Sequence, residues 1–112
     1  MSKSFRALGL AVSALALTQL PAAAQTKVTN EGISANEIVI GTHQDLSGPI
    51  KGWGVPVSNG MKMAVDEINA AGGINGRKIK LVLEDSGYDP KKAVLASQKM
   101  VERDKIFAMV GP

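Results

Sequence analysis

The chain is 112 residues long, 45% hydrophobic and 21% charged, with a formal charge of +3 and no cysteine. That composition suits one small globular unit and excludes a disordered or collagen-like chain. The absence of thiols excludes a disulfide framework, a cysteine nucleophile, cysteine-ligated zinc and a lipid-modified N-terminal Cys.

Residues 1–24 read as an export signal. Lys3 and Arg6 open the chain with no acid nearby, Ala7–Leu17 is an apolar run broken only by Ser13, and Ala22-Ala23-Ala24 supplies an A-x-A cleavage site ending at Ala24. The run is too short for a membrane span, which needs about 20 apolar residues. Cleavage removes Lys3 and Arg6 and leaves a nearly neutral chain, so nucleic acid is not expected as a partner. With no Cys to lipidate, the mature chain is expected in the periplasm or secreted.

Residues 25–36 are polar and without apolar period, and read as a flexible lead-in. Glu37–Thr42 reads as a strand whose continuous apolar run suits burial on both faces of a parallel sheet. A Gly/Pro-rich loop is expected from His43 to Gly54. A first helix is expected over Val55–Ala71, with Pro56 in its first turn and a buried stripe of Val57, Met61, Ala64, Val65 and Ile68. Gly72-Gly73 stops it, and Asn75-Gly76 makes a tight turn. Arg77–Glu84 reads as a second strand, and Lys80 marks it as a sheet edge. A second helix starts with Asp89 as N-cap and Pro90 at its first position, burying Ala93, Val94, Ser97, Met100 and Val101. Ile106–Val110 reads as a third strand.

Strands alternating with helices imply right-handed crossovers and a parallel sheet. The fold class expected is α/β: a βαβαβ start of a doubly wound parallel sheet, strand order 2-1-3, incomplete. The third strand is left with an open apolar edge. Residues 37–112 therefore read as the first part of a larger lobe, cut at a strand end.

Open parallel sheets bind ligands beyond the carboxyl ends of their strands. That crevice is expected between the loop from His43 to Gly54, the start of the first helix and the segment from Glu84 to Asp89. The residues expected to meet a ligand are Gln44, Ser47 and Gly48 in the loop after the first strand, and Trp53, the only Trp. Each has a plainer alternative: Gln44 as a solvated loop group, Ser47 and Gly48 as turn formers, Trp53 as loop packing. His43, the only His, lacks a Ser, Cys or Asp partner at useful spacing and reads as structural. Asp66 and Glu67 are adjacent, so a helix points them apart. Glu84, Asp85 and Asp89 lack the calcium-loop pattern and read as capping and solvating groups. No catalytic residue, metal or cofactor is expected. A nucleotide-dependent enzyme fits worst: Gly52-Trp53-Gly54 begins a G-x-G-x-x-G, but Val57 stands at the third glycine, and the glycines do not follow the strand directly.

Ile38-Val39-Ile40-Gly41, Leu46-Ser47-Gly48-Pro49, Trp53-Gly54, the stretch Met61 to Gly76, Leu83-Glu84-Asp85 with Asp89-Pro90, and Val110-Gly111-Pro112 resemble the opening of periplasmic type I solute-binding proteins. The stretch Met61 to Gly76 is similar to the leucine/isoleucine/valine-binding branch of ABC importers. The resemblance covers residues 34–112 and only the first part of the family's first lobe. It implies two α/β lobes closing on an amino acid or small carboxylate, delivery to a membrane permease, and Trp53 at a position covering the ligand. Most amino-acid binders carry Tyr there, so an aromatic acid is an alternative ligand. A sensory receptor domain of the same fold is the alternative role.

Overall fold

The computed structural model describes residues 30–112. The expected export signal and the first residues of the lead-in lie outside them. The elements run β1 (Glu37–Gln44), α1 (Lys51–Ala70), β2 (Lys78–Asp85), α2 (Pro90–Glu102) and β3 (Ala108–Met109). Both strand pairings in the sheet are parallel and the order is β2-β1-β3, as the Lys80 edge argument required.

β1 pairs with β2 from Glu37↔Lys78 to Gln44↔Asp85. It is two residues longer than expected, because β2 offers partners up to Asp85; His43 and Gln44 thus stand on the strand's end and not in the loop. β3 is shorter than the Ile106–Val110 run. Even so, Phe107 and Val110 donate their N–H groups to Val39 and Gly41 of β1 on either side of it.

Alternate strand residues face opposite sides. Val39, Gly41 and Val82 face α2, where Met100, Ala96 and Ile106 form the buried cluster. Gly41 is there because a Cβ would lie 2.6 Å from Met100 Sδ. Ile38, Ile40, Ile79 and Leu81 fall on the other side, with α1. At the outer edge of β2, the Asn69 amide of α1 takes the place of a neighbouring strand: Nδ2 donates to Ile79 O at 2.8 Å and Oδ1 accepts from Ile79 N at 2.7 Å.

α1 starts four residues earlier than expected. Ile50, its N-cap, has no side-chain acceptor; Asp45 supplies one from five residues upstream by accepting from Ile50 N. Pro56 consequently lies inside the helix and not in its first turn, and Trp53 stands on the first turn and not on a loop. The C-terminus is a Schellman motif, with Gly73 N–H donating to Ile68 O and Gly72 N–H to Asn69 O. Asn75 and Gly76 both have positive φ, 50° and 76°, and form a two-residue reversal closed by paired Ile74–Arg77 backbone bonds.

Two buried stripes differ from expectation. On α1, Gly54 and Ser58 are buried, while Val57 and Ile68 are exposed. On α2, Ala96 and Met100 are buried, while Val94 and Val101 are 57% and 55% exposed. The reason is helix-to-sheet distance: small residues let a helix approach closely, and a branched residue on that face would hold it off. The buried Ser58 hydroxyl donates to Gly54 O within its own helix, so the burial leaves nothing unpaired.

Residues 30–36 do not hang free. Ile33 N–H donates to Asn30 O, Val39 N–H donates to Gly32 O, and the Ser34 hydroxyl accepts from Asn36 and Glu37 N–H. α2 opens as expected: Asp89 accepts from Lys91 and Lys92 N–H at 2.7 and 3.1 Å. Among the described residues no helix is long and apolar enough to cross a membrane.

Candidate functional site

Both helices of the unit begin near the carboxyl ends of β1 and β2, and the turns leading into them build one end of the molecule. A cleft of about 530 Å³ opens there. His43 and Gln44 of β1 and Asp45 and Ile50 of the β1–α1 loop line one side. Ser86, Tyr88 and Asp89 of the β2–α2 loop, Pro90 and Ala93 of α2, and Pro112 line the other. This is the crevice that parallel topology predicts.

Two carboxylates organise the cleft's loops. Asp45, itself buried, accepts from Gly48 N–H and, at 2.7 Å, from Ile50 N–H. Asp85, at the end of β2, accepts from the Ser47 hydroxyl at 2.6 Å and from Leu46 and Gly87 N–H, both at 2.9 Å. The Ser47 hydroxyl, then the Leu46 and Gly87 amides, then the Lys92 charge hold the Asp85 carboxyl at about 2, against an ordinary 3.8. Gly48 has no room for a side chain, since a Cβ would lie 2.3 Å from Gly87 O.

The four expected residues separate on this geometry. Gln44 lines the cleft; its amide donates to Thr42 Oγ1 at 2.9 Å and to Gly111 O. Ser47 and Gly48 do not line it, and their donors point within the loops, to Asp85 and Asp45. Trp53 does not line it either. It lies one turn along α1 from Ile50, which does, and its side chain is 78% exposed.

Sequence reasoning placed the segment from Glu84 to Asp89 at the crevice without singling out Tyr88, which lines the cleft and is 63% exposed with φ 59°. A bulky residue rarely adopts that conformation. Trp53 and Tyr88 are the chain's single Trp and single Tyr, and both stand exposed around this end of the sheet.

Two further acids, Glu84 and Asp104, are engaged in ion pairs. Glu84 and Asp104 flank Lys99 at 2.6 and 2.9 Å, and the two, Glu84 foremost, hold its ammonium above its ordinary range. Among the described residues no group of three His, Cys, Asp or Glu is placed to hold a metal. The arrangement is suited to enclosing a small molecule with apolar and hydrogen-bonding parts.

The sequence pattern described as Periplasmic binding protein matches residues 37–112. The chain is 46% identical over 76 residues to the Leu/Ile/Val-binding protein BraC3 of Rhizobium johnstonii, covering 68% of this chain and 20% of that protein. Among solved structures it is similar to the branched-chain amino acid transporter substrate binding protein LivJ of Streptococcus pneumoniae in complex with isoleucine, with TM-score 0.66 and 38% identity over 69% of this chain and 22% of that one. It is also similar to a fatty acid ABC transporter substrate-binding protein of Thermomonospora curvata, with TM-score 0.66 and 30% identity over 73% of this chain and 21% of that one. The chain thus spans about a fifth of the length of these relatives. They are binding proteins and not enzymes, in agreement with the absence of a catalytic assembly from the sequence reading.

Proposed function

The chain belongs to the periplasmic binding protein family, and from that premise we propose that it forms one wall of an extracytoplasmic site for a branched-chain amino acid, as the substrate-binding component of an ABC importer. The observation that carries this reading is the cleft at the carboxyl ends of the parallel strands. Its apolar lining, Ile50, Pro90, Ala93, Pro112 and the Tyr88 ring, suits an aliphatic side chain. Gln44, Ser86 and His43 add hydrogen-bonding groups to it. Ligands named for two of the relatives, isoleucine and a fatty acid, share a carboxylate and an aliphatic tail, and that combination is the ligand class proposed. In this reading Gln44 contacts the ligand, Ser47 and Gly48 shape the loop that frames it, and Trp53 covers it from the first turn of α1. The membrane partner proposed is an importer permease.

Trp53, as the single Trp, is the fluorescent group of the rim proposed to cover this site. Titrating the chain with L-isoleucine is expected to give a saturable change in its fluorescence, at millimolar ligand because most of the relatives' length is absent. D-Isoleucine is expected to give none. An identical response to both enantiomers, or no response to L-leucine, L-isoleucine or L-valine, overturns the reading.

We further propose export with cleavage after Ala24. Protein recovered from the periplasm of an expressing bacterium is expected to begin Gln25-Thr26-Lys27 on N-terminal sequencing. Cytosolic protein still beginning at Met1 is the contrary result.

A further inference from the structure

The loops after β1 and β2 meet with almost no space between them. Gly48 lies against Gly87 so closely that a Cβ would strike both the Gly87 carbonyl oxygen and carbon, at 2.3 and 2.7 Å. One side chain joins the two loops. Asp85 Oδ1 accepts from Leu46 N–H of the first loop and from Gly87 N–H of the second, and Oδ2 accepts from the Ser47 hydroxyl of the first. Asp45 fixes the far side of the same turn through Gly48 and Ile50 N–H, so the start of α1 and the residue before Trp53's turn follow the loop.

We propose that Asp85 is a positioning residue that locks the Leu46–Gly48 and Ser86–Tyr88 loops into one rigid rim, holding the Trp53 side and the Tyr88 side of the cleft at a fixed spacing. The sequence offers no hint of this role, because the donors lie 39 and 38 positions away at Leu46 and Ser47. The consequence for ligand capture rests on the function proposed above: a rim fixed beforehand loses less freedom when a ligand binds. The locking itself is independent of any ligand.

The charged groups around Asp85 are Lys92 on α2, which favours the carboxylate, Asp45 in the β1–α1 loop, and Asp89 at the start of α2. Both of these acids have backbone donors of their own. The Asp85 carboxyl titrates at about 2, below its ordinary 3.8. Above pH ~4 the carboxylate accepts all three bonds; as pH falls through that lower value the neutral acid forms, with Oδ1 still accepting from the two amides and Oδ2–H donating to Ser47 Oγ, so protonation weakens the bonds without removing them.

The chemistry of an amide at this position separates positioning from simple charge. In Asp85→Asn, Oδ1 still accepts from both N–H groups, and Nδ2 donates to Ser47 Oγ, whose lone pairs are open to it. Asp85→Ala removes all three bonds.

The test is two-dimensional NMR of the 112-residue chain without ligand. In Asp85→Ala, amide exchange at Leu46 and Gly87 is expected to accelerate together by tenfold or more, with Ile40 and Leu81 in the sheet unchanged. In Asp85→Asn both amides are expected to stay within about threefold of the parent. In the parent the Leu46 and Gly87 amide shifts are expected to titrate together with a midpoint of about 2, a step that Asp85→Asn abolishes. Unchanged exchange in Asp85→Ala, acceleration at only one of the two amides, or a titration that persists in Asp85→Asn overturns the proposal. Should Asp85→Ala fail to fold, the comparison of the parent with Asp85→Asn decides alone. A chain that locks its loops but ignores L-isoleucine would count against the function and not against the lock.

Discussion

Alanine at Met100 is expected to destabilise the chain by about 3 kcal/mol, the range for removing a long apolar side chain from a core. Met100 is 0% exposed, the largest fully buried side chain among the described residues, in a cluster whose other buried members are Ala96 and Ile106. It fills the space over Gly41, which has no side chain of its own, and the partly buried Val39, Val82 and Met109 pack around it. No neighbour is large enough to close the resulting void. A unit this small has a total stability of the same order, so Met100→Ala is expected to be largely unfolded at 25 °C by circular dichroism. Met100→Leu, which nearly conserves volume, is expected to lose under about 1.5 kcal/mol. Equal urea midpoints for the alanine variant and the parent would show that this cluster is not the core.

The second prediction sets two glycines of one helix against each other. Alanine is the better helix former by about 1 kcal/mol, so propensity alone expects Gly54→Ala and Gly60→Ala both to stabilise α1. A Cβ at Gly60 meets nothing within 4 Å, whereas a Cβ at Gly54 lies 2.0 Å from Asp45 O and 2.8 Å from its carbonyl carbon. Backbone atoms cannot turn aside as a flexible side chain can. Gly60→Ala is therefore expected to raise stability by about 0.5–1 kcal/mol, and Gly54→Ala to lower it by about 2–3 kcal/mol as α1 is forced off the β1–α1 loop. The sign difference is read from urea unfolding midpoints; shifts in the same direction for both would refute the close approach.

Gly54 illustrates where sequence reasoning falls short. It read as the end of a Gly/Pro-rich loop because Pro56 suits the first turn of a helix. The helix nevertheless begins at Lys51, since Asp45 satisfies the Ile50 N–H from a distance no local capping rule covers. Asp89-Pro90, in contrast, carries its cap and its first helical residue side by side, and it was legible outright. Gly72-Gly73 and Asn75-Gly76 were equally legible, because positive φ is a property of the residue itself.

The candidate site divides along the same line. Its location followed from strand–helix alternation alone. The division of labour among Gln44, Ser47, Gly48 and Trp53 did not, because it depends on which donors are already taken. The loop carrying Tyr88 was placed at the crevice by topology, but that the Tyr88 side chain itself lines the cleft came only from the fold.

Local rules operate over a few residues. By themselves they settled the parallel α/β class, the order β2-β1-β3, the stop of α1 and the start of α2. Packing acts between segments that the sequence keeps far apart. It decided that Gly54, Ser58 and Ala96 face the sheet in place of the branched residues beside them, and that Asp85 joins two loops nearly forty positions apart; Met100 was already in the stripe read from the sequence. Hydrophobic periodicity names a helix's apolar side only to within a residue or two. The distance at which that helix rests on the sheet selects the final face, and this distance exists only once both are built.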